Sequence, residues 1–116
     1  AVDESMECYA ERAFSLLERA NAPASVRASV LDTLGWVQIE LGKHRDARQT
    51  FRIGLQASEE MISLWLGLAL AEAREGRADD AARSLAEAER LLETQAAPTD
   101  EVFKRHLQQA REAVNG

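Results

Sequence analysis

The 116 residues carry 14 basic and 20 acidic side chains, which give a net charge of −6, and only 5% of the chain is aromatic. This length predicts one domain with a modest core. The acidic charge argues against nucleic acid as a partner, because binding phosphates requires a basic surface. The apolar runs are much shorter than a bilayer span, so we expect no membrane insertion.

The cysteine content and the first residue of the chain bear on disulfides, zinc sites and the processing of the protein. The single cysteine, Cys8, excludes an internal disulfide and a thiolate-rich zinc site. No signal-like segment is present and the chain starts at Ala1, so we expect a processed protein or part of a longer chain. We favour a cytoplasmic location over a periplasmic one. The preference for Arg over Lys, with abundant Ala, is typical of a GC-rich bacterial genome.

The sequence matches itself at an offset of 34 residues, which pairs Leu34 with Leu68 and Gly42 with Gly76. Within each unit the matching positions recur three, four or seven residues apart, which is the periodicity of an α-helix. No segment alternates as a β-strand does. The pattern predicts an all-α fold in which each unit is a pair of antiparallel helices.

The first three predicted helices follow in chain order. The first covers residues 5 to 20, and the second runs from about residue 24 to 41. Gly42 stands where a left-handed residue would end the second helix. Asp46 begins the third, because its carboxylate is favoured beside the amino-terminal end of the helix dipole.

Three more helices complete a predicted total of about six. Ser58 opens the fourth, Gly76 ends it, and Asp79 and Asp80 open the fifth. Pro98 and Thr99 start a final helix over residues 99 to 114. Four of its side chains are expected to point inward: Val102, Phe103, His106 and Leu107.

These features resemble the tetratricopeptide repeat family. The resemblance rests on the following positions: Leu34, Gly35, Ala47 and Phe51 in the first repeat, and Trp65, Leu68, Ala69, Ala81 and Leu85 in the second. It divides a single domain over residues 1–116 into a half repeat (5–22), two full repeats (28–61 and 62–95) and a capping helix (98–114). The position that the family usually fills with Tyr holds Gln38 and Glu72, a departure that weakens packing slightly.

The resemblance implies an α-solenoid, a right-handed superhelix whose concave face binds a peptide or an amphipathic helix of another protein. The family's groove positions give these candidate partner-binding residues: Asp32, Trp36, Ile39, Glu40, Leu66, Leu70 and Arg74. We expect Trp36 and Leu66 to be partly exposed, whereas Ile39 is as compatible with the core as with the groove. The chaperone-tail function of some members is not expected, because Asp32, Trp36 and Gly67 replace the Lys and Asn that it requires.

Self-assembly is the alternative function. The first helix lacks the partner helix that would cover it, so Met6, Tyr9 and Phe14 form a possible self-association edge. Such an edge would produce a homo-oligomer or pack against further repeats.

The sequence predicts no enzyme, no metal site and no cofactor. His44 and His106 have no metal-ligand partners at helical spacing, and acidic residues surround Cys8, which disfavours a reactive thiolate. The basic run from Lys43 to Arg52 is interpreted as a solvated helix face, because no aromatic residues are interleaved with it.

Overall fold

The computed structural model describes residues 2–96, 98 and 100–116. Over these residues the fold is all-α: α1 (Glu4–Arg19), α2 (Ala24–Glu40), α3 (His44–Ala57), α4 (Ile62–Arg74), α5 (Ala78–Thr94) and α6 (Glu101–Asn115). Each of the first five helices packs on the next. Since the connections between them are short, neighbouring helices run antiparallel. The predicted all-α helical-repeat fold is confirmed.

Two glycines end the first helix of each pair as their repeat positions predict. Gly42 has φ 77° and Gly76 has φ 78°, both in the left-handed region that favours glycine. The reversed backbone lets the amide of Lys43 donate to the Gln38 carbonyl over 2.9 Å, and the same bond follows Gly76. These bonds satisfy carbonyl groups that the helix ends leave without partners.

Two helix starts differ from the prediction. Helix α3 begins at His44, so Asp46 lies within its first turn rather than at its start. Helix α4 begins at Ile62, because Ser58 still belongs to the end of α3. The Ser58 backbone is extended, and its amide donates to the Gly54 carbonyl over 2.9 Å.

The last helix also begins later than predicted. It starts at Glu101, and the preceding Asp100 caps it by accepting a 2.8 Å hydrogen bond from the amide of Phe103. Pro98 lies outside the helix, and Thr99 lies outside the described residues. The expectation that Val102 points inward is wrong, since this residue is 51% exposed.

Phe51 of α3 fills the space between α2 and α4. A Cβ atom added at Gly35 would lie 2.5 Å from the Phe51 ring, and one added at Gly67 would lie closer still. Both glycines therefore let the two helices approach the ring. The other repeat positions behave as predicted, with the large residues Leu34, Leu68 and Leu85 and the small residues Ala47, Ala81 and Ala88 all buried.

Gln38 and Glu72, the two positions where the resemblance leads one to expect Tyr, carry buried hydrogen bonds instead. Thr50 of α3 donates its hydroxyl to the Gln38 side chain over 2.7 Å, and Ser84 of α5 donates to Glu72 over 2.6 Å. The amide of Gln38 in turn donates to Glu7 of α1 over 3.0 Å. Polar bonds thus join the helices where we had expected weaker packing.

Replacing Thr50 with valine should lower the free energy of unfolding by about 1–3 kcal/mol, because the buried oxygen of Gln38 loses its donor. Thr50→Ser keeps the hydroxyl and should retain most of the stability. Urea unfolding of both variants checks this. A loss of stability for Thr50→Ser with none for Thr50→Val would show that the methyl group, and not the hydrogen bond, stabilises this position.

Candidate functional site

Helix α6 lies across the face formed by α2 and α4. It packs chiefly on α4 and less on its sequence neighbour α5. It also reaches α2, where the His106 ring stacks on Trp36 with centroids 3.5 Å apart and planes inclined by 6°. Phe103 and Ala110 of α6 are buried in the main hydrophobic cluster, which also contains Trp36 and Leu70. We call the face occupied by α6 the α2–α4 groove, defined by Asp32, Trp36, Ile39, Leu66 and Leu70.

The apolar groove residues are more buried than the sequence predicts. Leu66 is 0% exposed and Trp36 is 8% exposed, so the expectation that both are partly accessible is wrong. Leu70 and Ile39 are buried as well. Helix α6 contributes to this burial, since it packs on α4 and its His106 ring stacks on Trp36, in the groove that the family resemblance assigned to a partner.

A polar chain lies within the groove. The indole N–H of Trp36 donates to the Ser63 hydroxyl over 3.2 Å, and that hydroxyl donates to Asp32 over 2.8 Å. Burial raises the pKa of Asp32 to about 6, and the hydrogen bond from Ser63 opposes this effect. The groove therefore contains a carboxyl group that changes its protonation state near pH 6.

Burial shifts the pKa of His106 in the opposite direction from that of Asp32, because in a histidine the charged form is the protonated one. Its half-buried position lowers its pKa to about 4, with Arg105 adding to the shift and Asp100 opposing it. A neutral ring stacked on an indole is an apolar contact with a polar edge. The expectation that His106 points inward from the last helix is confirmed.

The charged groove candidates lie at helix ends. Glu40 is the last residue of α2 and Arg74 is the last residue of α4, and both are exposed. Gly67, which the resemblance also placed in the groove, faces Phe51 instead. The predicted groove residues thus separate into a buried apolar group and two exposed charges.

A second apolar surface lies between α1 and α2. This α1–α2 cleft has a volume of about 570 Å³ and is lined by Met6, Tyr9, Ala10, Ala13, Val26, Ser29, Val30 and Thr33. Tyr9 is 69% exposed and Met6 is 42% exposed, so two of the three predicted edge residues lie together. Phe14 lines a different cavity, beside Leu31 and Ile53.

The basic run is held by acidic residues of other helices. Lys43 contacts Glu7 of α1 at 2.6 Å, and this bond lowers the pKa of Glu7. Arg48 contacts Glu75, just after α4, at 2.5 Å. The solvated-face interpretation is therefore wrong for these two side chains, which join helices.

A polar cleft on α3, α4 and α5 escaped the sequence reasoning. It has a volume of about 500 Å³, and its lining includes Arg52, Glu59, Trp65, Glu72 and Asp80. Burial raises the pKa of Glu72, and the hydrogen bond from Ser84 opposes that effect. Charges of both signs line this cleft.

The remaining reactive side chains stand apart from one another. Cys8 is exposed, and His44 is a half-buried residue whose pKa is lowered by burial and by nearby Arg74. Among the described residues no three His, Cys, Asp or Glu side chains meet closely enough to hold a metal ion. In that same part of the chain, no helix combines the length and apolar character that spanning a bilayer needs.

Comparison with models of known protein families found no match. Comparison with curated protein sequences likewise found no significant relative.

Proposed function

We propose that this chain is a protein–protein interaction module of the tetratricopeptide-repeat type, and that its α2–α4 groove holds an amphipathic helix. The observation that carries the proposal is α6 itself, an amphipathic helix packed on α4 and stacked on Trp36. Helix-in-groove binding depends on apolar anchors at helical spacing, and this groove provides them. Trp36 has the side-chain type that most often dominates such interfaces.

Self-association is the second candidate, favoured by the α1–α2 cleft. The cleft exposes Met6 and Tyr9 beside valine side chains of α2. Exposed apolar area of this kind is typical of protein interfaces. A second copy of the chain bound there would make the protein a structural, oligomeric element.

Charge reversal at the ends of α2 and α4 tests the first candidate. The variant Glu40→Lys with Arg74→Glu keeps the net charge, and both residues are exposed, so the fold should persist. We expect it to capture a partner from a lysate of the source organism at least about tenfold less well than the wild type, because rim charges set the encounter. Quantitative mass spectrometry of the captured proteins is the measurement.

The matched control is Arg45→Glu with Glu93→Lys, which exchanges the same charges at exposed positions outside the groove. It should capture the partner as the wild type does. Equal capture by all three chains would contradict groove binding. Recovery of only the chain itself from all three would instead favour self-association through the α1–α2 cleft.

A further inference from the structure

We propose that α6 is a displaceable occupant of the α2–α4 groove, and that the external ligand is an amphipathic helix of another protein that replaces it. This inference rests on the proposed function and names both its regulation and its ligand. Under it, the groove is closed when α6 is docked and open when α6 has left.

Few of the α6 side chains are deeply buried. Phe103 and Ala110 are its two buried side chains, whereas α4 is buried along most of its length. His106, Leu107, Ala113 and Val114 are half-buried at the same face. Most of the apolar contact of α6 therefore comes from one narrow stripe, and its loss would leave the other helices packed on one another.

Polar attachments of α6 to the other helices are scarce. Among the described residues, one side-chain hydrogen bond joins α6 to another helix, from Arg111 to Glu89 of α5 over 3.1 Å. Both side chains are about half exposed, and exposed ion pairs add little to stability. The docking of α6 therefore depends on the burial of Phe103 and on the His106–Trp36 stack, and little on hydrogen bonds or ion pairs.

The connection before α6 permits its release. The described residues between α5 and α6 are not helical, and Ala96, Pro98 and Asp100 are exposed. Helix α6 packs less on α5 than on α4. Undocking α6 would thus break contacts in the groove and leave the α5 pairing with α4 in place.

The side chains of α6 that contact the groove indicate what an external helix needs in order to replace it. The apolar stripe contains Phe103, Leu107, Ala110 and Val114, which recur at three and four residues, with the His106 ring beside them. The opposite side of α6 is polar. A ligand that reproduces this face is a helix of about four turns, with an aromatic anchor and a flat ring one turn later to stack on Trp36.

The test uses a labelled synthetic peptide of residues 98–116 as the probe and the full chain as the receptor. The receptor variant Phe103→Ser weakens the docking of its own α6 and leaves the groove intact. We expect this chain to bind the peptide at least about 30-fold more tightly than the wild type, given the usual cost of truncating a buried phenylalanine. Fluorescence anisotropy measures the affinity.

Two controls accompany this measurement. A Val102→Ser receptor changes an exposed neighbour and should bind as the wild type does. A peptide carrying the Phe103→Ser change should not bind the open receptor. Amide hydrogen exchange of the wild-type chain, which needs no variant, should show α6 opening before α4.

The outcomes separate the two proposals. Exchange of α6 only on global unfolding would overturn its displacement, and peptide binding to the Phe103→Ser receptor would still support the groove as a helix site. No peptide binding to a folded receptor whose α6 has been released would overturn both. Dimers that exchange α6 between copies would also overturn the inference, because the occupant would then be this chain.

Discussion

Replacing Gly67 with alanine is expected to lower the free energy of unfolding by about 3 kcal/mol, although alanine is the better helix former. The added Cβ would meet three atoms of the Phe51 ring well inside van der Waals contact. That ring is fully buried between α2 and α4 and packs edge-on against Trp36, with centroids 5.7 Å apart, so it has no free space to move into. Urea unfolding of the variant measures the loss.

Gly54 provides the matched control within a helix. A Cβ added there would meet Leu64 methyl groups at 2.9 Å and 3.2 Å, and such methyl groups can rotate aside. Gly54→Ala should therefore cost no more than about 1 kcal/mol. Adding Phe51→Leu to Gly67→Ala should restore part of the loss, since the smaller side chain makes room. Strictly additive effects of the two changes would contradict the clash.

The second large effect is a pH-dependent increase in stability that we expect from Asp32→Asn. Burial raises the pKa of Asp32 from 3.8 to about 6, so the folded state holds this proton more tightly than the unfolded state. The resulting stability is complete below about pH 3.8 and is lost as the pH rises to about 6. Asparagine avoids ionisation and keeps an oxygen for Ser63. We expect the free energy of unfolding of the variant to be about 2 kcal/mol higher than that of the wild type at pH 8.

The difference between Asp32→Asn and the wild type should shrink towards pH 4, and urea unfolding across this range measures it. Comparison at each pH is necessary because His106 acts in the opposite direction. Its pKa falls from 6.5 to about 4 on folding, so its contribution is present above pH 6.5 and lost as the pH drops to about 4. A stability difference that does not vary with pH would contradict the desolvation of Asp32.

Most of the predicted fold, namely the helices and their ends, follows from the helical periodicity and from the positions of two glycines. Gly42 and Gly76 end their helices because only a left-handed residue reverses the chain there, which is a local property that a sequence displays. The start of α4 was predicted too early for a related reason. Ser58 is a good cap for a following helix, but here it completes the preceding one.

The groove could not be predicted at the same level. A repeat pattern identifies which side of α2 and α4 is apolar, but several helices of similar polarity could cover that side. The docking of α6 depends on where the residues after α5 direct the chain and on the fit between His106 and Trp36. The pairing of Lys43 with Glu7 and of Arg48 with Glu75 likewise depends on contacts between helices.

The sequence by itself determined that this protein is built of helices, where most of them end, and which residues form the core between them. Those properties follow from hydrogen bonds within a few residues and from apolar spacing along one chain segment. Only the tertiary structure decided that α6 fills the groove and that Phe14 lies apart from Met6 and Tyr9. Such contacts join residues far apart in sequence, and their free energy depends on shape and burial that no local pattern records.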